Sequence, residues 1–353
     1  MLKIIASYFF IVFGLAALWV STSRSVIKCL LEKRDNNEWW GVNQLIHGDL
    51  ASISHLDYLN KFSLPTHSTL KRANYTGPKN TTLFIHGDSY LYKVQDSIFA
   101  GISSFHFTGW NNQYHYHLDS SKRNVLIIEV AERLVRNYYG TTEILDELCD
   151  TTITKKNISS LSKPIISEIK YSSLFFCTDP MSIFNKNINQ NLEYNLFNYN
   201  FMMPLFGCKA AINYYLFSRA SGDVVISKDK HFLFYKETVS FTLPGSSFSP
   251  LSDDEITHLV SNFNIIHDYY KATGFKEIYL SIIPSTVTIM QPEGYNNLIP
   301  RIQNDKRLKM KIIDAWSVFK KSKELLFFPG DTHWNNTGKQ IWVDMVNEQL
   351  TKE

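Results

Sequence analysis

The chain has 353 residues, 44% of them apolar and 20% charged, with a formal net charge of +3. This is globular composition, long enough for one large core or two modest ones. The 36 lysines and arginines are dispersed and lack the clustering that a phosphate-tracking surface needs, so nucleic acid is excluded as a partner. Cys29, Cys149, Cys177 and Cys208 are widely spaced and form no ligand pattern, so no metal or other cofactor is expected. Their spacing leaves open every pairing, and none.

Residues 1–23 read as a signal-anchor. Residues 4–20 carry no charge, follow Lys3 and run into Ser21-Thr22-Ser23-Arg24. They are apolar all round, which suits a transmembrane helix better than an amphipathic one. No A-x-A site follows, so an uncleaved anchor is favoured over a removed signal peptide, and the expected location is membrane-anchored and extracytoplasmic. Arg24, Lys28, Lys33 and Arg34 pull the other way, since basic groups after a span tend to stay cytoplasmic. Residues 24–80 read as a tether that ends in the turn Tyr75-Thr76-Gly77-Pro78.

From 81 to 350 the pattern is that of an α/β domain. A strand is expected over residues 81–86, a helix after Ser89, and a strand over 124–129 continuing through 131–135. An amphipathic helix follows over 253–273, then a strand over 277–283, a short strand over 310–313 and a terminal helix after Thr337. Continuous apolar strands indicate a mainly parallel sheet covered on both faces. Residues from about 141 to 250 lack this rhythm and read as an irregular insertion.

Two short segments carry the chemistry. Gly87-Asp88-Ser89 follows the first strand, where a glycine permits a tight turn that lifts the Ser89 hydroxyl to the carboxyl edge of the sheet. In Asp331-Thr332-His333-Trp334 the acid and the histidine sit two apart, on one face of an extended loop. Ser89 reads as a nucleophile, His333 as its general base, and Asp331 as the carboxylate that orients the imidazole. The competing roles are local: Ser89 or Asp88 as helix caps, Asp331 and His333 as a surface pair. Trp334 reads first as a packing anchor and second as a substrate platform. Glu132-Arg133 reads as a structural ion pair or a loop organiser near the site, with Arg133 and Asp88 also candidates for contacting substrate. The Ser89 N–H is the expected oxyanion donor, and Asn111 and Asn112 are candidates beside it. His115 and His117 alternate with tyrosines, but no third ligand lies nearby.

An early Gly-Asp-Ser paired with a late D-x-H-W before a helix resembles the SGNH hydrolase superfamily. That resemblance implies a flavodoxin-like, three-layer α/β/α fold. The acid-to-base spacing is one residue shorter than the D-x-x-H of common SGNH esterases. Asp331-Thr332-His333-Trp334-Asn335 with Gly338 is similar to the D-T-H-W block of the alginate O-acetyltransferase family. Residues 225–235 resemble that family's G-K-D-G-W-L-F-Y strand, and residues 128–133 its strand ending in E-x-x-E-R. Residues 283–289 are similar to its P-x-K-x-T-I-Y segment, with Thr286 at the lysine position. In that family G-D-S and E-R follow D-T-H-W, whereas here they precede it, as in a circular permutation, and no G-x-N-D block is present. The resemblance implies a periplasmic or cell-surface O-acetyltransferase acting on a polysaccharide or other glycan through an acyl-enzyme on Ser89. It also implies a polytopic membrane O-acyltransferase as acyl supplier. A carbohydrate or lipid esterase is one alternative, and a non-catalytic glycan-binding or export-scaffold protein another.

Overall fold

The structure, a computed structural model, describes residues 2–22, 48–56, 59–62, 70–91, 94–109, 118–141, 143–149, 203–220 and 222–352. The chain divides into two compact units, Met1–Leu45 with Asn157–Ile212, and Ile46–Lys156 with Asn213–Glu353.

In the first unit the backbone is helical over Leu2–Thr22 (α1). The expected N-terminal transmembrane helix is not found. Among the described residues no helix is long and apolar enough to cross a membrane.

The second unit is an α/β domain. Its five-stranded sheet contains β1 (Thr81–Gly87), β2 (Ile102–Gly109), β3 (Arg123–Ala131), β6 (Glu277–Ile283) and β7 (Lys311–Ile312), in the order β2-β1-β3-β6-β7. Every pairing is parallel. A separate antiparallel hairpin, β4 (Val224–Ile226) and β5 (Leu233–Tyr235), accounts for the segment at 225–235.

Side chains alternate along the strands and so feed two cores. Phe84, Leu126, Ile128, Leu280 and Ile282 enter one; Leu83, Ile85, Val125, Ile127 and Ile283 enter the other. The first core is closed by the helices Asp253–Thr273 and Leu298–Gln303, the second by Ala315–Lys321 and Asn336–Thr351. The helix Asp253–Thr273 starts where the sequence places it because Ser252 caps it, accepting the Glu255 N–H at 3.1 Å, and three acidic residues fill its first turn. Strand order reverses between β1 and β3, which opens a crevice at their carboxyl ends.

Several expectations are corrected. The helix after Ser89 is a single 3₁₀ turn, Ser89–Leu91. The second expected strand stops at Ala131, and the chain turns helical at Glu132–Leu134. β2 was not anticipated; its side chains are mostly half-buried, as suits an edge strand whose apolar signal is diluted by Ser103, Ser104 and Thr108. Residues 150–202 of the expected insertion lie outside the described residues.

Residues 48–56 and 59–62, inside the expected tether, lie against the α/β domain. Leu50, Ala51, Leu56 and Phe62 are buried, the short helix Asp49–Ile53 (α2) donates the Ala51 N–H to the Gly330 carbonyl at 2.8 Å, and the segment belongs to the domain. Leu56→Ala is therefore expected to lower unfolding free energy by about 2–5 kcal/mol in a urea titration, as for a core leucine. An unchanged midpoint would return the segment to a tether.

Candidate active site

The carboxyl end of β1 places the serine. Gly87 ends the strand against a buried carboxylic acid: a Cβ there would lie 2.6 Å from Glu129 Oε2, so a larger residue would displace that side chain. That same oxygen accepts the Asp88 N–H at 3.0 Å. Asp88 then closes the turn, accepting the Tyr90 N–H at 2.9 Å with one oxygen and the Ala131 N–H, at the end of β3, at 3.0 Å with the other. Both oxygens are thus spent on backbone, and Asp88 is a clamp rather than a substrate contact. Ser89, between these fixed groups, is exposed.

The loop before the last helix places the base. Asn335 caps that helix, accepting the Gly338 N–H at 3.0 Å, and sends its own amide to the Leu325 carbonyl at 2.6 Å. Gly338 is needed because a Cβ would meet the Leu326 carbonyl at 2.5 Å. Upstream, Asp331 Oδ1 accepts both the backbone N–H of His333, at 2.8 Å, and its Nδ1–H, at 2.5 Å. The imidazole is turned so that Nε2 meets Ser89 Oγ at 2.8 Å. The nucleophile, base and acid read from the sequence therefore form one connected chain of hydrogen bonds.

Tyr90 joins the two segments. Its hydroxyl donates to the Thr332 carbonyl at 2.5 Å, its ring lies 4.8 Å from the His333 ring, and its carbonyl accepts the Trp334 indole N–H at 3.1 Å. Trp334 is only 2% exposed and packs against Tyr90, Phe319 and Trp342. It is a packing anchor with no face left for a ligand.

Glu132 and Arg133 do not pair with each other. Glu132 Oε2 accepts the Ser285 N–H at 2.8 Å and the Thr288 hydroxyl at 2.6 Å, while the Arg133 guanidinium faces the Tyr90 ring at 5.8 Å. Arg133, Tyr90, Ser285, Thr286, Val287 and Thr332 border a narrow cleft beside the site. Ser285 Oγ and Thr286 Oγ1 are buried there with no hydrogen-bond partner. The Ser89 N–H opens the 3₁₀ turn and so has no partner within it, which leaves it available as an oxyanion donor. Asn111, Asn112, His115 and His117 lie outside the described residues.

One participant was not anticipated. Asp49 reaches the loop from α2: its Oδ1 accepts the Thr332 N–H at 2.8 Å, its Oδ2 accepts the Thr332 hydroxyl, and its own N–H donates to Asp331 Oδ2 at 3.2 Å. A signal was present in the sequence, since Ile46-His47-Gly48-Asp49 repeats Ile85-His86-Gly87-Asp88. Asp49, Asp331 and His333 offer ligand atoms within 4.8 Å of one another, the one such group among the described residues. Two of those three residues are already joined by the Asp331–His333 hydrogen bond.

Comparison of the chain with models of protein families, with curated proteins and with solved structures finds no match.

Burial and charge set the ionisation of the surrounding groups. Burial pushes the Asp331 carboxyl up, but the hydrogen bonds and charge of His333, with the Asp49 N–H, outweigh it and hold the group below the ordinary range. Asp49 is raised, first by burial and then by the charge of Asp331. His86, three residues before Ser89, is buried and pushed down to about 4 by desolvation, so it stays neutral at pH 7. Glu129 is fully buried, and that burial, with Asp88 beside it, raises it well above the ordinary carboxyl range.

Glu129 therefore keeps its proton to higher pH in the folded chain than in the unfolded one. The folded state binds more protons from about pH 4.3, the unfolded value, up to the folded value, and stability falls across that window. Glu129→Gln carries no such proton. Its unfolding free energy is expected to gain on the wild type as pH rises through this window from about 5, and parallel profiles would mean that Glu129 ionises normally.

Proposed function

We propose that the chain is an SGNH-type serine acyltransferase that moves an acetyl group to a hydroxyl of a glycan. The observation that carries this reading is the hydrogen-bonded sequence Ser89 Oγ, His333 Nε2 and Nδ1, Asp331 Oδ1, with contacts of 2.8 and 2.5 Å, set at the carboxyl edge of a parallel sheet. Ser89 Oγ attacks the acyl carbonyl as its proton passes to His333 Nε2, and Asp331 stabilises the imidazolium. The tetrahedral oxyanion accepts the Ser89 N–H. Collapse releases the donor's leaving group, which takes the proton from His333, and leaves an ester on Ser89. His333 then removes the proton of a glycan hydroxyl, which attacks the ester and restores the serine.

The alginate O-acetyltransferase resemblance supports transfer to a glycan, with a polytopic membrane O-acyltransferase as acyl supplier. The apolar stretch of α1, whose Ile5, Phe9, Val12 and Leu15 are more than half exposed, supports an export or membrane-tethering role and an extracytoplasmic site. One observation favours a second reading, an esterase: Ser89 is open to solvent, and water reaching the acyl-enzyme would hydrolyse it.

Acetyl ester turnover by the full chain is expected to fall at least about 1,000-fold in Ser89→Ala and in His333→Ala. An acetyl adduct on Ser89 should be trapped in the wild type, by mass spectrometry after rapid quenching. Equal turnover in all three proteins would overturn the proposal. Acyl release to water exceeding transfer to an oligosaccharide would replace the transferase by the esterase.

A further inference from the structure

Asp49 is placed by a dedicated piece of backbone. Ala51 donates its N–H to the Gly330 carbonyl at 2.8 Å, and a Cβ on Gly330 would meet the Phe62 carbonyl at 2.4 Å and the Ala51 side chain at 2.9 Å. Residues 48–56 and 59–62 are thus packed directly on the loop that carries Asp331 and His333, with Leu50, Ala51 and Phe62 buried.

At the end of this segment Asp49 has an unusual set of partners. Its two oxygens accept the N–H and the hydroxyl of Thr332, the residue between the acid and the base, and Oδ1 also accepts the Leu50 N–H at 2.7 Å. Its N–H holds Asp331 Oδ2, the oxygen that His333 does not use. Among the described residues no lysine or arginine forms a salt bridge with it, although the Arg133 guanidinium and Asp88 also act on this cluster, and His333 Nδ1 lies 3.9 Å from Asp49 Oδ2. Here a second negative charge faces the same ring nitrogen as Asp331.

We propose that Asp49 is a positioning residue for the reaction: it fixes the Asp331-Thr332-His333 loop and adds a second carboxylate against the imidazolium that forms when His333 takes the serine proton. This rests on the reading of Ser89, His333 and Asp331 as the reacting set. Its consequence is that the short helix α2 is part of the active site, and that two carboxylates share one imidazole.

The test separates charge from shape. Asp49→Asn keeps the size and the acceptor for the Thr332 N–H but removes the charge, and Asp49→Ala removes both. In the full chain, the rate at which a fluorophosphonate labels Ser89 is measured against pH, alongside stability in urea. Asp49→Asn should keep wild-type stability, label about 10-fold more slowly, and show an acid limb moved to lower pH, because less negative charge then favours protonated imidazole. Asp49→Ala should lose rate further and some stability.

A wild-type rate and profile in Asp49→Asn, or a slower rate with the acid limb unmoved, would overturn the proposal. If wild-type Ser89 does not label at all, the acyltransferase reading fails, and Asp49 is then judged by NMR. The low-field Nδ1–H resonance of His333 should shift in Asp49→Asn, and an unmoved resonance would reduce Asp49 to a structural tie.

Discussion

The side chain of Asp88 bridges the ends of two adjacent strands, and the position of everything reactive depends on it. One oxygen closes the turn after β1 on the Tyr90 N–H, and the other reaches the Ala131 N–H at the end of β3. β1 and β3 pair in register up to His86 and Ile128, after which their chains diverge at the reversal of strand order. A bridge at that point converts sheet register into a fixed place for Ser89. Putting a carboxylate there is costly, since Asp88 and Glu129 are both buried and both raised by desolvation. Retaining a proton on Glu129 relieves the repulsion between them.

The base reaches the nucleophile through the backbone of the same turn. The Tyr90 hydroxyl holds the Thr332 carbonyl, and the Trp334 indole holds the Tyr90 carbonyl, so the residues flanking His333 are both bonded to the residue that follows Ser89. The 2.8 Å contact between Ser89 and His333 is thereby fixed from both sides by buried groups, and does not depend on two mobile side chains finding each other. Preorganisation of this kind is what a proton transfer between serine and imidazole requires.

Sequence reading succeeded where one local pattern had one structural solution. The helix Asp253–Thr273 and the strand Glu277–Ile283 match the expected limits, because a cap and an acidic first turn, then an unbroken apolar run, each admit a single reading. The D-x-H pair was legible for the same reason: a carboxylate two residues before a histidine can accept that residue's N–H and face its ring. What could not be read was anything set by distant packing. The turn after Ser89 does not become a helix because Asp88 is held by β3, 43 residues on. Residues 48–56 and 59–62 carry no strong periodicity, and their attachment to Gly330 and Thr332 is a tertiary fact. The Glu132–Arg133 pair fails because Glu132 is taken by Ser285 and Thr288, more than 150 residues away.

Three Gly-Asp pairs meet at this site, and comparing them shows how little the dipeptide itself says about chemistry. Asp88 and Asp331 perform the same local act, each accepting the N–H of the residue two positions on, a turn that aspartate makes readily. Their roles part at the next bond. The remaining oxygen of Asp88 goes to the backbone of β3, so its turn serves to present the residue inside it, Ser89. Asp331 Oδ1 also takes the ring Nδ1–H of His333, so its turn presents the residue at its end and orients it in the same step. Asp49 makes no such turn and instead clasps the middle of the second one through Thr332. The turn-forming tendency was written in the sequence, but which oxygen faces a ring, a strand or a neighbouring loop was decided by the packing of α2, β3 and the last helix around one sheet edge.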